Sequence, residues 1–412
     1  MKMLRVLDFV IYWSIVIMPF SVAIAPGIAN TFIGFFSVFF IVKKLATRQP
    51  FSTNRLTLIL FGLFILASFI SVINSVNYAS SFQGIVKLFK YLLIFLICSE
   101  EIKDRKHIER IVISISAGIC LASIDALWQM VFGYDFIRHN AMQSAIGLPR
   151  PTAAFPNPNV FGVYTAALTP LILGLAFFYF KGRQRIALLF VGLLGLTGVG
   201  LSLSRGAGLG VFLAVLFLII ANKKKLLTLL LIGILVVFPF VMPKNIKQWA
   251  KNVNYNPLVL MFNEDRISIY SNAINMIKNH PVIGVGVNTF SKNYAKYKTE
   301  AAEKYAHTAD TIYAHNIYLQ MAGEVGLLGL VLFLLFLTQV FRRNFIVSRK
   351  AKDDLYLKAV SLSLAASLLA FLVNGMTETS LYYPRVVMIF WYLIGVSLSL
   401  ERLVNNHKGA KG

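Results

Sequence analysis

"VLDFVIYWSIVIMPFSVAIAPGIANTFIGFFSVFFIV", residues 6–42, decides the fold class. Pro19 and the Pro26-Gly27 pair divide this stretch into two apolar runs, 6–24 and 27–42. Proline lacks an amide hydrogen and Pro-Gly favours a turn, so two helices are expected here rather than one. The ruler for a membrane-crossing helix is roughly 20 apolar residues. By that ruler, further spans are expected at 56–74, 83–99, 108–131, 159–180, 186–203, 207–221, 226–242, 315–341, 357–375 and 386–400. The fourth is interrupted by Lys87 and Lys90. The pattern predicts an all-α polytopic membrane protein of about twelve transmembrane helices. The short alternating segments of a transmembrane β-barrel are missing. Composition agrees, with 57% hydrophobic and only 14% charged residues, far from the usual soluble domain. Residues 1–412 read as a single integral membrane domain, without internal repeats.

The formal charge is +23. In a soluble protein that would point to nucleic acid, but here most Lys and Arg fall in short loops between apolar runs. About 25 of the 40 Lys and Arg fall on one side of the membrane, which the positive-inside rule makes cytoplasmic, together with both termini. Two longer pieces lie on the opposite face: residues 132–158, and a loop at about 243–314 between the ninth and tenth spans. Lys2 and Arg5, an apolar stretch and Ala23-Ile24-Ala25 mimic a signal peptide. With so many spans following, an uncleaved first helix is expected. The two cysteines, Cys98 and Cys120, both lie in apolar stretches and give neither a disulfide framework nor a metal set.

Three polar side chains stand out. Arg205, in "LSLSRGAGLG" (201–210), sits between two apolar runs with almost no loop around it. An arginine so near hydrocarbon is costly unless it faces a cavity or partner, and its guanidinium grips phosphate through a fork of donors. The bland alternative is a snorkelling side chain. Gly206 and Gly208 would let a backbone or a lipid approach. Arg266 opens a helical pattern carried by Ile267, Tyr270, Ile274 and Ile277 and stopped at Asn279-His280-Pro281. Its simplest role is a surface pair with Glu264 or Asp265. His315 and Asn316 open "HNIYLQMAGEVGLLGL" (315–330) at the outer end of an apolar run that holds Glu324. A general base must be neutral, and imidazole titrates near neutrality. Asn316 is equally suited to start the helix.

The same outer face holds Arg150, Arg385 and many of the loop lysines, a positive excess that suits an anionic ligand, although long loops cross regardless of charge. Its tyrosines could stack on sugars or form an interfacial belt. "GVGVNTF" (284–290) lacks the third glycine and the preceding strand of a dinucleotide loop. No Asp-x-Asp motif and no cluster with metal-ligand spacing occurs, which disfavours a metal-dependent mechanism.

Taken in order, "RPTAAFPNPNVFGVY" (150–164), "SRGAGLG" (204–210), "DRISIYSNAINMIKNHPVIGVG" (265–286) and "HNIYLQMAGEVGLLGL" resemble the bacterial O-antigen ligase and polymerase superfamily, the ligases most closely. The resemblance spans about residues 150 to 400. It implies a GT-C-like membrane glycosyltransferase with one large periplasmic loop, residing in the inner membrane. Its ligase members move a polysaccharide from undecaprenyl pyrophosphate to a sugar of the lipid A core, in the periplasm, without metal or other cofactor. Carried over motif by motif, Arg205 and Arg266 would bind pyrophosphate and His315 would be catalytic, with Arg150, Asn316 and Arg385 as secondary contacts. The expected partners are the lipid-linked polysaccharide, the lipid A-core acceptor and membrane lipids, and no nucleic acid. Two alternatives stand beside the ligase: a polymerase of lipid-linked repeats using the same residues, and a transporter or flippase. A transporter would place charges near the bilayer midplane and show repeated halves.

Overall fold

The computed structural model describes residues 2–145, 147–224, 244–252, 254, 256, 261–262, 264–299 and 312–409. Helices α1 (Lys2–Ile24), α2 (Pro26–Thr47), α3 (Arg55–Ser71), α4 (Tyr78–Glu101) and α5 (Arg105–Phe132) run up and down from the N-terminus. A small hairpin, β1 (Gln143–Ala145) with β2 (Leu148–Arg150), leads into α6 (Pro158–Phe178), α7 (Gly182–Ser202) and α8 (Arg205–Ala221). Two shorter helices, α9 (Lys244–Asn252) and α10 (Glu264–Asn279), precede α11 (Ile317–Lys350), α12 (Leu355–Asn374) and α13 (Pro384–Gly409). Among the described residues, ten helices are long and apolar enough to cross a membrane, and α8 is a shorter apolar helix. The all-α polytopic expectation holds. The count of twelve is not reached on these residues, because the ninth predicted span, 226–242, lies outside them.

Several helices outrun their apolar windows because polar caps lie beyond the hydrocarbon stretch. The fourth span, expected at 83–99, begins at Tyr78, where the Asn77 side chain accepts from Ser80 N at 2.8 Å. Asp104 caps α5 through His107 N at 2.7 Å, and Asn157 caps α6 through Val160 N at 2.9 Å, with Pro158 in the first turn. Each cap satisfies an amide that the helix leaves open.

Helices α6, α12 and α13 form the inner layer: 94%, 89% and 89% of their apolar windows are buried, against 28% for α7. The outer helices turn Phe9, Val38, Leu66, Phe82, Ile113 and Phe190 outward, a large apolar surface of the kind that lipid covers. The end bearing both termini is knitted by ion pairs. Lys43 Nζ reaches Asp8 Oδ1 and Glu101 Oε2, both at 2.6 Å, and Lys44 Nζ reaches Glu100 Oε2 at 2.9 Å.

Two local devices shape the opposite end. Gly206 and Gly210, one turn apart on α8, lie against α12 and the segment after it. A Cβ at Gly206 would come within 1.8 Å of Thr377 Oγ1, and one at Gly210 within 2.5 Å of the Ala370 carbonyl oxygen. Small residues allow helices this close in a membrane. Gly206 thus admits the end of α12 and the turn after it, while Gly208 is exposed and meets nothing within 4 Å.

The second device is a break in α11 at Gly326, whose φ is 76° and ψ 176°. The loop after α10 threads this break. Pro281 O accepts from Leu327 N at 2.8 Å, while Val285 N and Gly286 N donate to Gly323 O and Glu324 O at 2.9 and 3.0 Å. Loop atoms thus replace the intrahelical bonds lost at the break, as buried backbone requires. The glycines of "GVGVNTF" serve this crossing.

Candidate active site

The site is built on the end of the bundle away from the termini. Arg150 closes the β-hairpin, and its Nε donates to Ser202 O at 2.9 Å, tying β2 to the end of α7. Ser204 caps α8 through Ala207 N at 3.4 Å, which sets Arg205 in the first turn. Helix α10 brings up Arg266. Together Arg150, Asn159, Ser204, Arg205, Gly206 and Arg266 line one cavity of about 70 Å³, closed by Leu203 and Met261. Three guanidinium groups therefore meet at the positive end of a helix, where anions are favoured. Burial, and then the charge of Arg266, pull Arg150 below the ordinary guanidinium value. An anion in the cavity would relieve that repulsion.

A carboxylate joins this cluster to the histidine. Glu378, 2% exposed, lies in the turn between α12 and α13. Its Oε2 accepts from Arg266 Nη2 at 3.1 Å and from Asn159 Nδ2 at 2.8 Å. Its Oε1 lies 2.9 Å from His315 Nδ1. Asn159 turns its own oxygen to Arg150 Nη2 at 2.7 Å, and Arg266 Nη1 also donates to Thr377 O. Burial alone would push the Glu378 carboxyl up, but the His315 hydrogen bond and the nearby charges of His315 and Arg266 outweigh it. The result is a carboxyl below its ordinary value, hence a stable anion.

His315 itself sits at φ 47°, in the left-handed region, which costs a non-glycine residue about 1–3 kcal/mol and persists only where the surroundings impose it. The Tyr270 hydroxyl bridges the carbonyls of His315 and Met376 at 3.1 and 3.2 Å. Burial pushes that phenol up to about 12, so it stays a donor. Asn316 Oδ1 caps α11 through Tyr318 N and Leu319 N, and its Nδ2 holds Met376 O at 3.1 Å.

The structure thus brings Arg150, Arg205, Arg266 and His315 to one end of the bundle, and gives Asn316 the helix-starting role. Arg266 takes Glu378 as its partner; the side chains of Glu264 and Asp265 lie outside the described residues. Arg385 does not line this cavity. It is 3% exposed, packs over the Phe155 ring at 4.7 Å and donates to Ile24 O at 3.2 Å. Of the tyrosines on this face, Tyr294 is fully buried and bound to Asn272 at 2.7 Å, so it cannot stack on a sugar. Glu378 lies outside the sequence motifs, and Asn159, though inside the 150–164 motif, is not singled out there as a site residue. Scarcity was the available signal, since only 17 Asp and Glu occur in the chain and Glu378 lies four residues beyond the end of α12 at Asn374. Among the described residues, no group of three or more His, Cys, Asp or Glu could hold a metal ion.

Residues 190–334 match the family model described as O-antigen ligase. This match supports the resemblance to the O-antigen ligase and polymerase superfamily. Members of this superfamily are glycosyltransferase-like ligases and polymerases. No match was found among curated proteins. The matched stretch includes Arg205, Arg266 and His315, whereas Arg150, Asn159 and Glu378 lie outside it and join the site only in three dimensions.

Proposed function

We propose that this protein is an O-antigen ligase: an inverting, metal-independent glycosyltransferase of the inner membrane. It would move a polysaccharide from undecaprenyl pyrophosphate to a lipid A-core sugar on the periplasmic face. One observation carries the reading. Glu378 touches both Arg266, a wall of the three-arginine cavity, and His315, so an anion site and a candidate base are joined through one buried carboxylate.

Pyrophosphate is a good leaving group whose charge grows as its bond to the anomeric carbon breaks. Fixed cations aimed at that charge lower the barrier in a water-poor site. Arg150, Arg205 and Arg266 supply them. The acceptor hydroxyl oxygen forms the new bond to the anomeric carbon from the opposite side, which inverts the centre. The hydroxyl proton passes to His315. With Nδ1 held by Glu378, Nε2 is the nitrogen left to accept it, the orientation that a carboxylate partner imposes on a catalytic histidine. Glu378 then stabilises the imidazolium. The charged groups gather at one end of the bundle rather than midway along the helices, which favours transfer over transport.

The test is transfer in vitro with purified protein, lipid-linked glycan and core acceptor, in the presence of a chelator. Ligation to the core that persists under chelation and vanishes in His315→Ala supports the reading. Elongation of lipid-linked repeats without core modification would make the protein a polymerase. Activity that collapses on chelation would overturn metal independence.

A further inference from the structure

The transfer mechanism uses neither Gln320 nor Glu324, although both are buried on the first turns of α11, at 0% and 1% exposure. Glu324 is the centre of a convergent set of donors. Its Oε1 accepts from Gln320 Nε2 at 2.8 Å and from Phe290 N at 3.1 Å. Its Oε2 accepts from Asn288 N at 2.7 Å and from the Tyr382 hydroxyl. Four donors fill the lone pairs of a carboxylate, which is how a charge is kept in an apolar interior. With its amide nitrogen spent on Glu324, Gln320 must turn its oxygen the other way. That oxygen accepts from Ala314 N at 2.7 Å, the residue directly before His315.

The chain of contacts therefore runs from a fixed carboxylate through an oriented amide to the backbone that carries the base. It also reaches Tyr382, four residues past Glu378 in the same inter-helix turn. A buried polar chain of this kind contributes little that apolar packing would not supply, but it fixes a geometry. The geometry in need of fixing is the left-handed backbone of His315.

We infer that Gln320 and Glu324 are positioning residues, which hold His315 against Glu378 by anchoring Ala314 on one side and Tyr382 on the other. This rests on the sugar-transfer reading above. It assigns Glu324, the acid inside an apolar span, a task in the reaction rather than in membrane insertion.

The test is a double-mutant cycle on the full-length protein, measuring kcat and donor KM for Gln320→Met and Glu378→Gln singly and together. Residues acting through one imidazole are not additive. Gln320→Met should lower kcat about tenfold with donor KM within about twofold, and should add less than about twofold in the Glu378→Gln background. Tyr382→Phe removes a single hydroxyl from the same carboxylate and keeps the ring. It should show the same non-additivity with a smaller loss, and it serves if Gln320→Met fails to fold. Factors that multiply, a loss carried by KM, or wild-type kcat in both variants would overturn the inference. If His315→Ala abolishes transfer while Gln320→Met and Tyr382→Phe are normal, only the positioning claim fails. If His315→Ala remains active, the transfer reading itself fails.

Discussion

Glu378 and His315 are 63 residues apart in the chain, yet Glu378 Oε1 lies 2.9 Å from His315 Nδ1. The contact pairs a carboxyl at the end of one membrane helix with an imidazole at the start of another. Arg266 shares the second carboxylate oxygen, so the pair also faces the anion cavity.

Replacing Glu378 with Gln keeps the shape and removes the charge. Transfer should fall about 10–100-fold, as for other groups that orient a reacting ligand, with donor KM little changed. The same variant tests the carboxyl's electrostatics. His315 and Arg266 hold it below its ordinary value of 4.5. A carboxyl lowered on folding stabilises the protein above its unfolded pKa, and that contribution is lost as pH falls through the folded pKa. Thermal unfolding in detergent should therefore show a wild-type loss of stability on the acid side of about pH 4.5, and a flatter acid limb in Glu378→Gln. An identical acid limb in both proteins would remove Glu378 from the account.

Arg205→Lys and Arg266→Lys keep the positive charge and lose the fork. Hydrogen bonds to charged groups contribute about 1.5–3 kcal/mol each, so each exchange should cost about 10–100-fold in kcat/KM. Arg266→Lys should be the worse of the two, because Arg266 also donates to Thr377 O and Glu378. Steady-state transfer with varied lipid-linked donor decides it. Lysine variants with wild-type kinetics would rule out a bidentate phosphate grip.

The architecture was legible because a membrane-crossing helix is a local property: an apolar run of the right length, broken by Pro26-Gly27 or capped by Asn157. Arg205 stood out as a costly residue at a helix end, whereas Arg266 and His315 were singled out for the site by the family resemblance rather than by their own local pattern. Glu378 and Asn159 were not, since their role is a contact across more than 200 residues for Asn159 and no local pattern encodes it. Arg385 misled for the same reason: position at a helix start does not say whether a guanidinium faces a cavity or an aromatic ring such as Phe155. The break at Gly326 was hidden inside a continuous apolar run, where a glycine reads as an ordinary helix position.

Helix α8 provides a packing test with an internal control. Gly210→Ala drives a methyl toward the Ala370 carbonyl, 2.5 Å away, a backbone atom that cannot swing aside. Overpacking of this kind costs about 1–3 kcal/mol. Gly206→Ala meets Thr377 Oγ1 at 1.8 Å, next to Glu378, so it should lower transfer as well as stability. Gly208→Ala meets nothing within 4 Å and should be neutral, or stabilising by up to about 1 kcal/mol through helix propensity. Thermal unfolding of the three variants, with transfer rates alongside, checks the order. Equal effects at 206, 208 and 210 would mean that α8 does not lie against α12 as described.

Gly326→Ala addresses the break in α11. At φ 76° an alanine is strained, and its Cβ would fall 2.0 Å from the Val282 carbonyl oxygen, so the crossing loop must withdraw. Withdrawal would unmake the bonds from Leu327 N to Pro281 O and from Gly286 N to Glu324 O, and with them the setting of the Glu324 carboxylate. A straight helix is the alternative that alanine favours. The expected result is a loss of more than about 2 kcal/mol of stability together with near-complete loss of transfer. Gly329→Ala separates position from composition. Three residues further on, its Cβ would fall 2.8 Å from Val325 Cβ, an atom the backbone fixes, so it should also cost about 1–3 kcal/mol, but it leaves the crossing loop in place and should leave transfer largely intact. Thermal unfolding and transfer measured side by side decide between them, and a well-folded, active Gly326→Ala would show that the broken helix is not required for the reaction.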